Sequence, residues 1–255
     1  MQTVSYEIQD RTAIVTIERP ERRNAVDGET AHQLYDAFKR FDADEGLDVA
    51  VLQGRDGNFC AGADLKGVAG GRGNPGHYEG DLGPMGCTRL RLGKPVIAAV
   101  EGYAVAGGLE VACWADLRVA GEGAVFGVFC RRFGVPLIDL GTVRLPRLIG
   151  HSRAMDLILT GRPVPAEEAL QIGLANRLVP RGGALDAALE LARQLSAFPQ
   201  ACLRGDRASA LDQWGMDWDE AEANEFRIGW ATVLSGSSRE GAARFAAGEG
   251  RGGKF

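Results

Sequence analysis

The chain has 255 residues, 45% hydrophobic and 25% charged, enough for one large domain, or a domain with a docked appendage, around a sizeable core. Its 29 Lys and Arg against 34 Asp and Glu leave a net charge of −5 with no basic tract, which argues against nucleic acid or a membrane surface as partner. Five scattered cysteines without a CxxC pair, three histidines in no metal-ligand spacing, no signal-peptide profile and no membrane-length apolar run lead us to expect a metal-free, soluble, cytoplasmic protein.

Taken in order, the chain opens with two alternating runs, Val4, Tyr6, Ile8 and Ala13, Val15, Ile17, which predict two strands joined by a tight turn. Leu34, Phe38 and Phe41 predict an amphipathic helix over 28–42, and residues 49–52 a short buried strand closed by Gly54. This β-β-α-β opening announces an α/β protein. A run of small residues, 57–64, follows the strand and precedes a predicted helix. The glycine-rich segment 67–84 is expected to be a mobile loop. Within it Gly71-x-Gly73-x-x-Gly76 has the letters of a dinucleotide fingerprint, but no strand precedes it and no helix follows, so it is rejected.

Residues 85–92 are expected to be helical, 95–100, 117–120 and 124–127 to be strands, and 143–149, 151–160 and 166–172 to be helices. An extended segment over 176–180 precedes a strong amphipathic helix marked by Leu185, Ala188, Leu189, Ala192 and Leu195. Further helices follow Pro199 and cover about 217–235 and 239–246. The expected organisation is an α/β core over 1–195 and a helical region over 196–255 suited to packing on a neighbouring subunit. The four tryptophans, Trp114, Trp214, Trp218 and Trp230, are expected to fill cores or subunit contacts.

The stretch with the most chemistry runs from the strand at 95–100 through Gly102, the turn Ala106-Gly107-Gly108, and an apolar helix from Leu109 to Ala115 carrying one carboxylate, Glu110. A turn of small residues opening a helix exposes N–H groups that no helical carbonyl can satisfy, and the helix dipole adds positive potential there. Such a turn suits an oxyanion. A carboxylate one turn further on, among apolar neighbours, is a candidate general base with a raised pKa. A glycine-rich turn with a capping glutamate is the competing reading.

Six blocks give the sequence a family resemblance. Three are Arg19-Pro20-Glu21-Arg22-Arg23-Asn24-Ala25, Phe59-Cys60-Ala61-Gly62-Ala63-Asp64-Leu65-Lys66 and Gly102-Tyr103-Ala104-Val105-Ala106-Gly107-Gly108-Leu109-Glu110. The others are Thr142-Val143-Arg144-Leu145-Pro146-Arg147-Leu148-Ile149-Gly150, Leu159-Thr160-Gly161-Arg162 and Ile172-Gly173-Leu174-Ala175-Asn176. In this order they resemble the crotonase superfamily, the enoyl-CoA hydratase/isomerase family, from Val15 to about Phe245.

The resemblance implies a spiral of β-β-α units with a C-terminal helical region, assembled as a homotrimer or homohexamer. It also implies an acyl-CoA substrate, with coenzyme A entering as part of that substrate and no other cofactor. It assigns the oxyanion donors to the backbone N–H groups of Ala63 and Gly107, and the first catalytic glutamate to Glu110. The backbone of Ala63, Asp64, Leu65 and Lys66, with Ala61 and Ala25 beside it, would meet coenzyme A, and Arg23 is a candidate for its phosphates.

One departure stands out. The family's second glutamate follows a Phe-Gly-x-Pro pattern, and here Phe126-Gly127-Val128-Phe129 leads to Cys130. A thiol with a pKa of about 8.5 is a weaker acid than a carboxylic acid. Arg131 and Arg132 either lower that pKa or form a surface pair. Asp139 can take over the acid role, or it caps the helix that begins near Val143. The expected activity is hydration of a 2-enoyl-CoA to the 3-hydroxyacyl-CoA. Thioester hydrolysis, decarboxylation and acyl-CoA binding with little turnover are the alternatives. His77 in the glycine-rich loop is expected to be solvated, and Arg251 and Lys254 either reach a phosphate or lie in a frayed tail.

Overall fold

Two strands begin the fold: β1 (Val4–Gln9) and β2 (Thr12–Ile17) pair antiparallel across a turn in which Asp10 takes φ 54°. The computed structural model describes residues 2–71, 73–76 and 79–250. After β2 come α1 (Gly28–Ala43), β3 (Val49–Gly54), α2 (Leu65–Ala69), β4 (Val96–Val100), β5 (Tyr103–Val105) and α3 (Gly107–Trp114). Next are β6 (Leu117–Gly121), β7 (Val125–Gly127), α4 (Gly141–Ile149), α5 (His151–Thr160), β8 (Val164–Pro165), α6 (Ala166–Gln171), β9 (Arg177–Val179) and α7 (Ala184–Ala197). The chain ends with α8 (Gln200–Asp212), α9 (Trp218–Leu234) and α10 (Ser237–Ala246). It divides into two units, the first ending at Leu195 and the second beginning at Ser196.

In the first unit a six-stranded sheet runs β1-β2-β3-β4-β6-β9, parallel at every pairing after β1–β2. Its central strands are apolar on both faces, as a parallel sheet covered on both sides requires. Because successive side chains alternate, Ala50, Leu52, Ala98 and Val100 join one core with Leu34, Phe38 and Phe41 of α1. Val49, Val51, Ile97 and Ala99 face the other way, onto Ala184, Ala188 and Leu191 of α7. Trp114 packs edge-on against Phe38, centroids 4.7 Å apart, and its Nε1–H donates to the Leu90 carbonyl at 3.0 Å. A smaller sheet, β5-β7-β8, stands beside the first.

One expectation needs correction. Residues 85–92 do not form a helix; the only helical turn there is a 3-10 turn at Cys87–Arg89. Gly83 and Gly86 exchange backbone hydrogen bonds of 2.9 and 2.8 Å, and Gly86 takes φ 82°, so the groups a helix would use are already paired. Between the break at Gly102 and the turn at Ala106 lies a strand the sequence did not show, β5, which pairs with β7. Three residues are too few for an alternation to show in the sequence.

In the second unit an Asp217–Glu220 capping box starts α9, and the rings of Phe226 and Trp230 stack 5.7 Å apart. None of α8, α9 or α10 contains a buried residue, and Trp218, Phe226 and Leu234 are exposed. No described helix is long and apolar enough to cross a membrane. The expectations for His77, Arg251 and Lys254 fall outside the described residues.

The first turn of α3 is packed against the segment after β3 through Gly108, where an added Cβ would lie 2.0 Å from the Cys60 carbonyl oxygen. That contact is with backbone and cannot move aside cheaply. Gly108→Ala should therefore lower unfolding free energy by about 1–3 kcal/mol, as overpacking does, read as a reduced urea midpoint; an unchanged midpoint would show that the two turns can separate freely.

Candidate active site

Four stretches line a cavity of about 320 Å³: residues 61–68 after β3, residues 73–76 with Pro84 and Met85, the start of α3, and the stretch 129–139 leading to α4. The first is held by its own backbone. Phe59 and Cys60 N–H donate to Glu101 and Tyr103 carbonyls at 2.7 and 2.8 Å, Ala61 N–H to Arg23 at 3.0 Å, and Asp64 N–H to Val26 at 2.9 Å. Gly62 N–H reaches the Cys60 sulfur at 3.4 Å. Between Phe59 and Asp64, Ala63 alone has an N–H with no acceptor among the described residues, and Ala63 lines the cavity. Asp64 caps α2 through Lys66 and Gly67 N–H at 3.1 Å and pairs with Arg19 at 2.9 Å. Arg19 also pairs with Asp27, the N-cap of α1, at 2.9 Å, so one guanidinium ties two helix starts to this turn.

The third stretch turns sharply into α3. Ala106 sits at φ 55°, a left-handed conformation that side chains adopt at a cost, and its N–H is bound by the Gly127 carbonyl at 2.8 Å. Gly107 follows as the first helical residue, so its N–H has no helical acceptor, and none exists among the other described residues. Gly62 brings the two turns together. It has φ 93°, and a Cβ there would fall 2.9 Å from the Gly107 nitrogen. Two unpaired N–H groups, from Ala63 and Gly107, thus open on one cavity.

Glu110 lies one turn into α3, 2% exposed. Its Oε1 accepts from the backbone N–H of Asp139 at 2.9 Å and of Gly141 at 2.8 Å, and its Oε2 has no protein donor among the described residues. Gly141 must lack a side chain, since a Cβ would meet Oε1 at 2.7 Å. Asp139 is also 2% exposed; its Oδ1 accepts from Met85 N–H at 2.9 Å and from the Thr88 hydroxyl. Arg144 of α4, half-buried, donates to the backbone carbonyls of Asp139 at 3.2 Å and Thr88 at 2.7 Å.

Burial, then the charge of Asp139, pushes the Glu110 carboxyl up to about 7, against the pull of the two N–H donors and Arg144. Burial also raises Asp139, with Thr88, Met85 N–H and the nearby Arg89 and Arg144 holding it back. Glu110 therefore gains and loses a proton near neutrality, as a general base needs.

The cavity wall includes Glu110, Asp139, Ala63, Gly107, Ala61, Leu65 and Cys130. Arg23, Ala25, Asp64 and Lys66 are not in it. Arg23 is exposed with its guanidinium 5.4 Å from the centre of the Tyr103 ring, Lys66 is exposed, and Ala25 is buried with its carbonyl accepting from Arg19. Asp139 does not cap α4. That helix starts at Gly141 behind Leu140, which is the N-cap, with no side-chain cap. Burial and then the Glu110 charge push the Cys130 thiol up and outweigh the downward pull of Arg131; Arg131 and Arg132 are surface residues bound to the Ile158 and Gly161 carbonyls. Sequence reading missed Gly141, Thr88 and Met85, whose contacts span 31 to 54 positions. It also missed Arg19, although two aspartates placed just before helices signalled caps worth tethering.

The Enoyl-CoA hydratase/isomerase family model matches residues 7–247. The chain is 38% identical over 244 residues to enoyl-CoA hydratase EchA19 of Mycobacterium tuberculosis, covering 94% of this chain and 92% of that one. It is 40% identical over 186 residues to carnitinyl-CoA dehydratase of Salmonella paratyphi A, covering 71% and 69%. Its fold superposes on the crystal structure of enoyl-CoA hydratase EchA1 from Mycobacterium marinum with a TM-score of 0.90, at 39% identity over 96% of each chain.

Replacing Asp139 by asparagine removes a negative neighbour of Glu110 and leaves an oxygen for Met85 N–H. The Glu110 carboxyl should then titrate below its value of about 7, toward the usual range near 4.3. Infrared titration of the carboxyl stretch, with Glu110→Gln to assign the band, reads this; an unmoved midpoint would mean that burial alone holds Glu110 up.

Proposed function

This chain belongs to the enoyl-CoA hydratase/isomerase family, within the crotonase superfamily, and we propose that it adds water to the double bond of a 2-enoyl-CoA to give the 3-hydroxyacyl-CoA. One observation carries this reading: a single cavity holds two unpaired backbone donors, Ala63 and Gly107, and a carboxylate, Glu110, whose proton affinity is set near neutrality.

The thioester oxygen accepts from Ala63 and Gly107 N–H. As water adds, electron density moves from the double bond to that oxygen, and donors fixed beforehand stabilise charge where it develops. Glu110 Oε1 is already bound by Asp139 and Gly141 N–H, which aims Oε2 at the attacking water. Glu110 takes a proton from the water as its oxygen bonds to C3. The same proton passes from Glu110 to C2, and the enolate collapses to the thioester, so one water supplies both groups added.

Asp139 serves as the second carboxylate in place of the glutamate that Cys130 displaces. It keeps the proton affinity of Glu110 high enough for the proton to be returned. The buried Cys130 thiol stays protonated at neutral pH and lines the wall. Coenzyme A enters only as part of the substrate; the backbone from Ala63 to Lys66 meets its adenine end, and the exposed Arg23 and Lys66 pair with its phosphates. A protein that only bound acyl-CoA would have no use for a carboxyl buried at this cost.

The helical region 196–255 forms the contacts of a homotrimer, alone or doubled to a homohexamer, in the cytoplasm. Exposed apolar side chains on α9, with Trp218 at 82% and Leu234 at 71%, support this. Light scattering should return the mass of three or six 27.1 kDa chains, and a monomer at micromolar concentration would reject it.

With crotonyl-CoA, loss of the conjugated thioester absorbance should report turnover, and Glu110→Gln should reduce kcat by about 10²–10⁴-fold while acyl-CoA still binds. Stability should move the other way. Since the folded pKa of about 7 lies above the unfolded value, Glu110 contributes stability at acid pH that is lost as pH rises through 7. The melting temperature of Glu110→Gln relative to wild type should therefore increase from about pH 5 to about pH 8. Hydration that survives in Glu110→Gln would remove Glu110 from the mechanism.

A further inference from the structure

Glu110 and Asp139 share one end of the cavity, and each takes its protein donors on a single oxygen, Oε1 and Oδ1. Two buried carboxyls placed together need positive charge nearby if either is to ionise. Around Glu110 the titratable and charged groups are Asp139, Arg144 of α4, Cys113 of its own helix and Cys130. Arg89 and Cys87, from the 3-10 turn, face Asp139. Burial pushes all three thiols up, so they carry no charge at neutral pH. Arg144 acts on both carboxyls.

The Arg144 guanidinium makes neither of its two bonds to a carboxylate. Its Nη1 donates to the Asp139 carbonyl at 3.2 Å and its Nη2 to the Thr88 carbonyl at 2.7 Å, 56 positions away. Thr88 and Met85, from that same earlier segment, hold Asp139 Oδ1 through a hydroxyl and an N–H. Asp139 and Gly141 N–H in turn hold Glu110 Oε1. The side chains of Arg144 and Asp139 thus tie 85–88 to 139–141, and 139–141 carries the grip on Glu110. An arginine paired directly with Glu110 or Asp139 would occupy an oxygen that the chemistry needs. Held by carbonyls instead, and outside the cavity wall, it delivers its charge through a poorly screening interior and leaves those oxygens free. The charge is also permanent, because a guanidinium does not lose its proton in a protein.

We propose that Arg144 is a positioning residue of this site: its two carbonyl bonds hold the 139–141 segment on Glu110, and its fixed charge favours the ionised carboxylate that takes a proton from water. The inference rests on the hydration reading for what Glu110 does, and on the bonds and charge of Arg144 for how Glu110 is held and tuned. Arg144 itself touches no substrate.

Two variants separate the charge from the bonds. Arg144→Gln removes the charge and retains a donor for one carbonyl; Arg144→Lys keeps the charge and loses the planar fork that spans both. Infrared titration of the Glu110 carboxyl, assigned with Glu110→Gln, should place its midpoint above the wild-type value of about 7 in Arg144→Gln. The rise should be about half a pH unit or more, opposite in sign to the fall expected for Asp139→Asn. In Arg144→Lys the midpoint should stay at the wild-type value. With crotonyl-CoA, the acid limb of the kcat profile should move up in Arg144→Gln and stand still in Arg144→Lys. The plateau kcat of Arg144→Lys should fall about tenfold to a hundredfold, as small misplacements of a catalytic group do, with KM little changed. An unmoved midpoint in Arg144→Gln, or wild-type kcat in Arg144→Lys, overturns the proposal. Should Arg144→Gln fail to fold, Arg144→Lys decides alone: a kcat loss at unchanged KM and midpoint supports the proposal, and any other result rejects it. The infrared midpoint needs no turnover. A rise in Arg144→Gln of a protein that hydrates no enoyl-CoA would therefore sink the reaction and keep the action of Arg144 on Glu110; hydration with an unmoved midpoint does the reverse.

Discussion

Much of this site depends on two hydrogen bonds to one oxygen. Glu110 Oε1 is gripped by the N–H groups of Asp139 and Gly141, from a segment about thirty residues further along the chain. A carboxylate buried to this degree without partners would be costly. The two donors offset part of that cost, and the second of them opens α4, where the helix dipole also favours negative charge. They fix which oxygen is occupied and which is left for chemistry. They also hold the 139–141 segment against α3, so the wall carrying Ile138 and Asp139 takes its place from the same contact.

The sheet explains why these pieces meet. β3 and β4 are parallel neighbours, so the segments leaving their C-terminal ends emerge on the same side of the sheet. One becomes the Ala63 turn and the other leads through β5 to the Gly107 turn. In open α/β sheets the crevice beyond those strand ends is where ligands collect. Single-residue bridges, Val26 with Ala63 and Cys60 with Ala104, then lace the first turn to its neighbours on both sides. The Arg19 guanidinium, shared between Asp27 and Asp64, adds an ionic tie to the same place.

Much of this could be read from residues alone where a local pattern was strong. The alternation in β1 and β2, the helical spacing of Leu34, Phe38 and Phe41, and the small-residue turns before α2 and α3 each signalled their structure. Glu110 was visible because a lone carboxylate in an apolar helix has few structural uses. What could not be read was short or distant. β5 and β8 have three and two residues, too few for any period to show. The 85–92 segment has helical composition but is committed to the Gly83–Gly86 pairing. For Asp139 the sequence offered a cap or an acid; the helix proves to start behind Leu140, and the Asp139 carboxyl is spent on Met85 and Thr88, 54 and 51 positions away.

The division of labour between backbone and side chain has a further consequence, for how such a site changes over generations. The Ala63 and Gly107 N–H groups belong to the main chain, and every residue except proline supplies the same donor. Substitutions that keep the two turns in shape cannot delete them. Glu110, Cys130 and Asp139 are exchanged by one codon each. On the proposed reaction, the half of the site that receives the thioester oxygen is therefore mutationally robust, while the half that moves the proton is open to drift and selection.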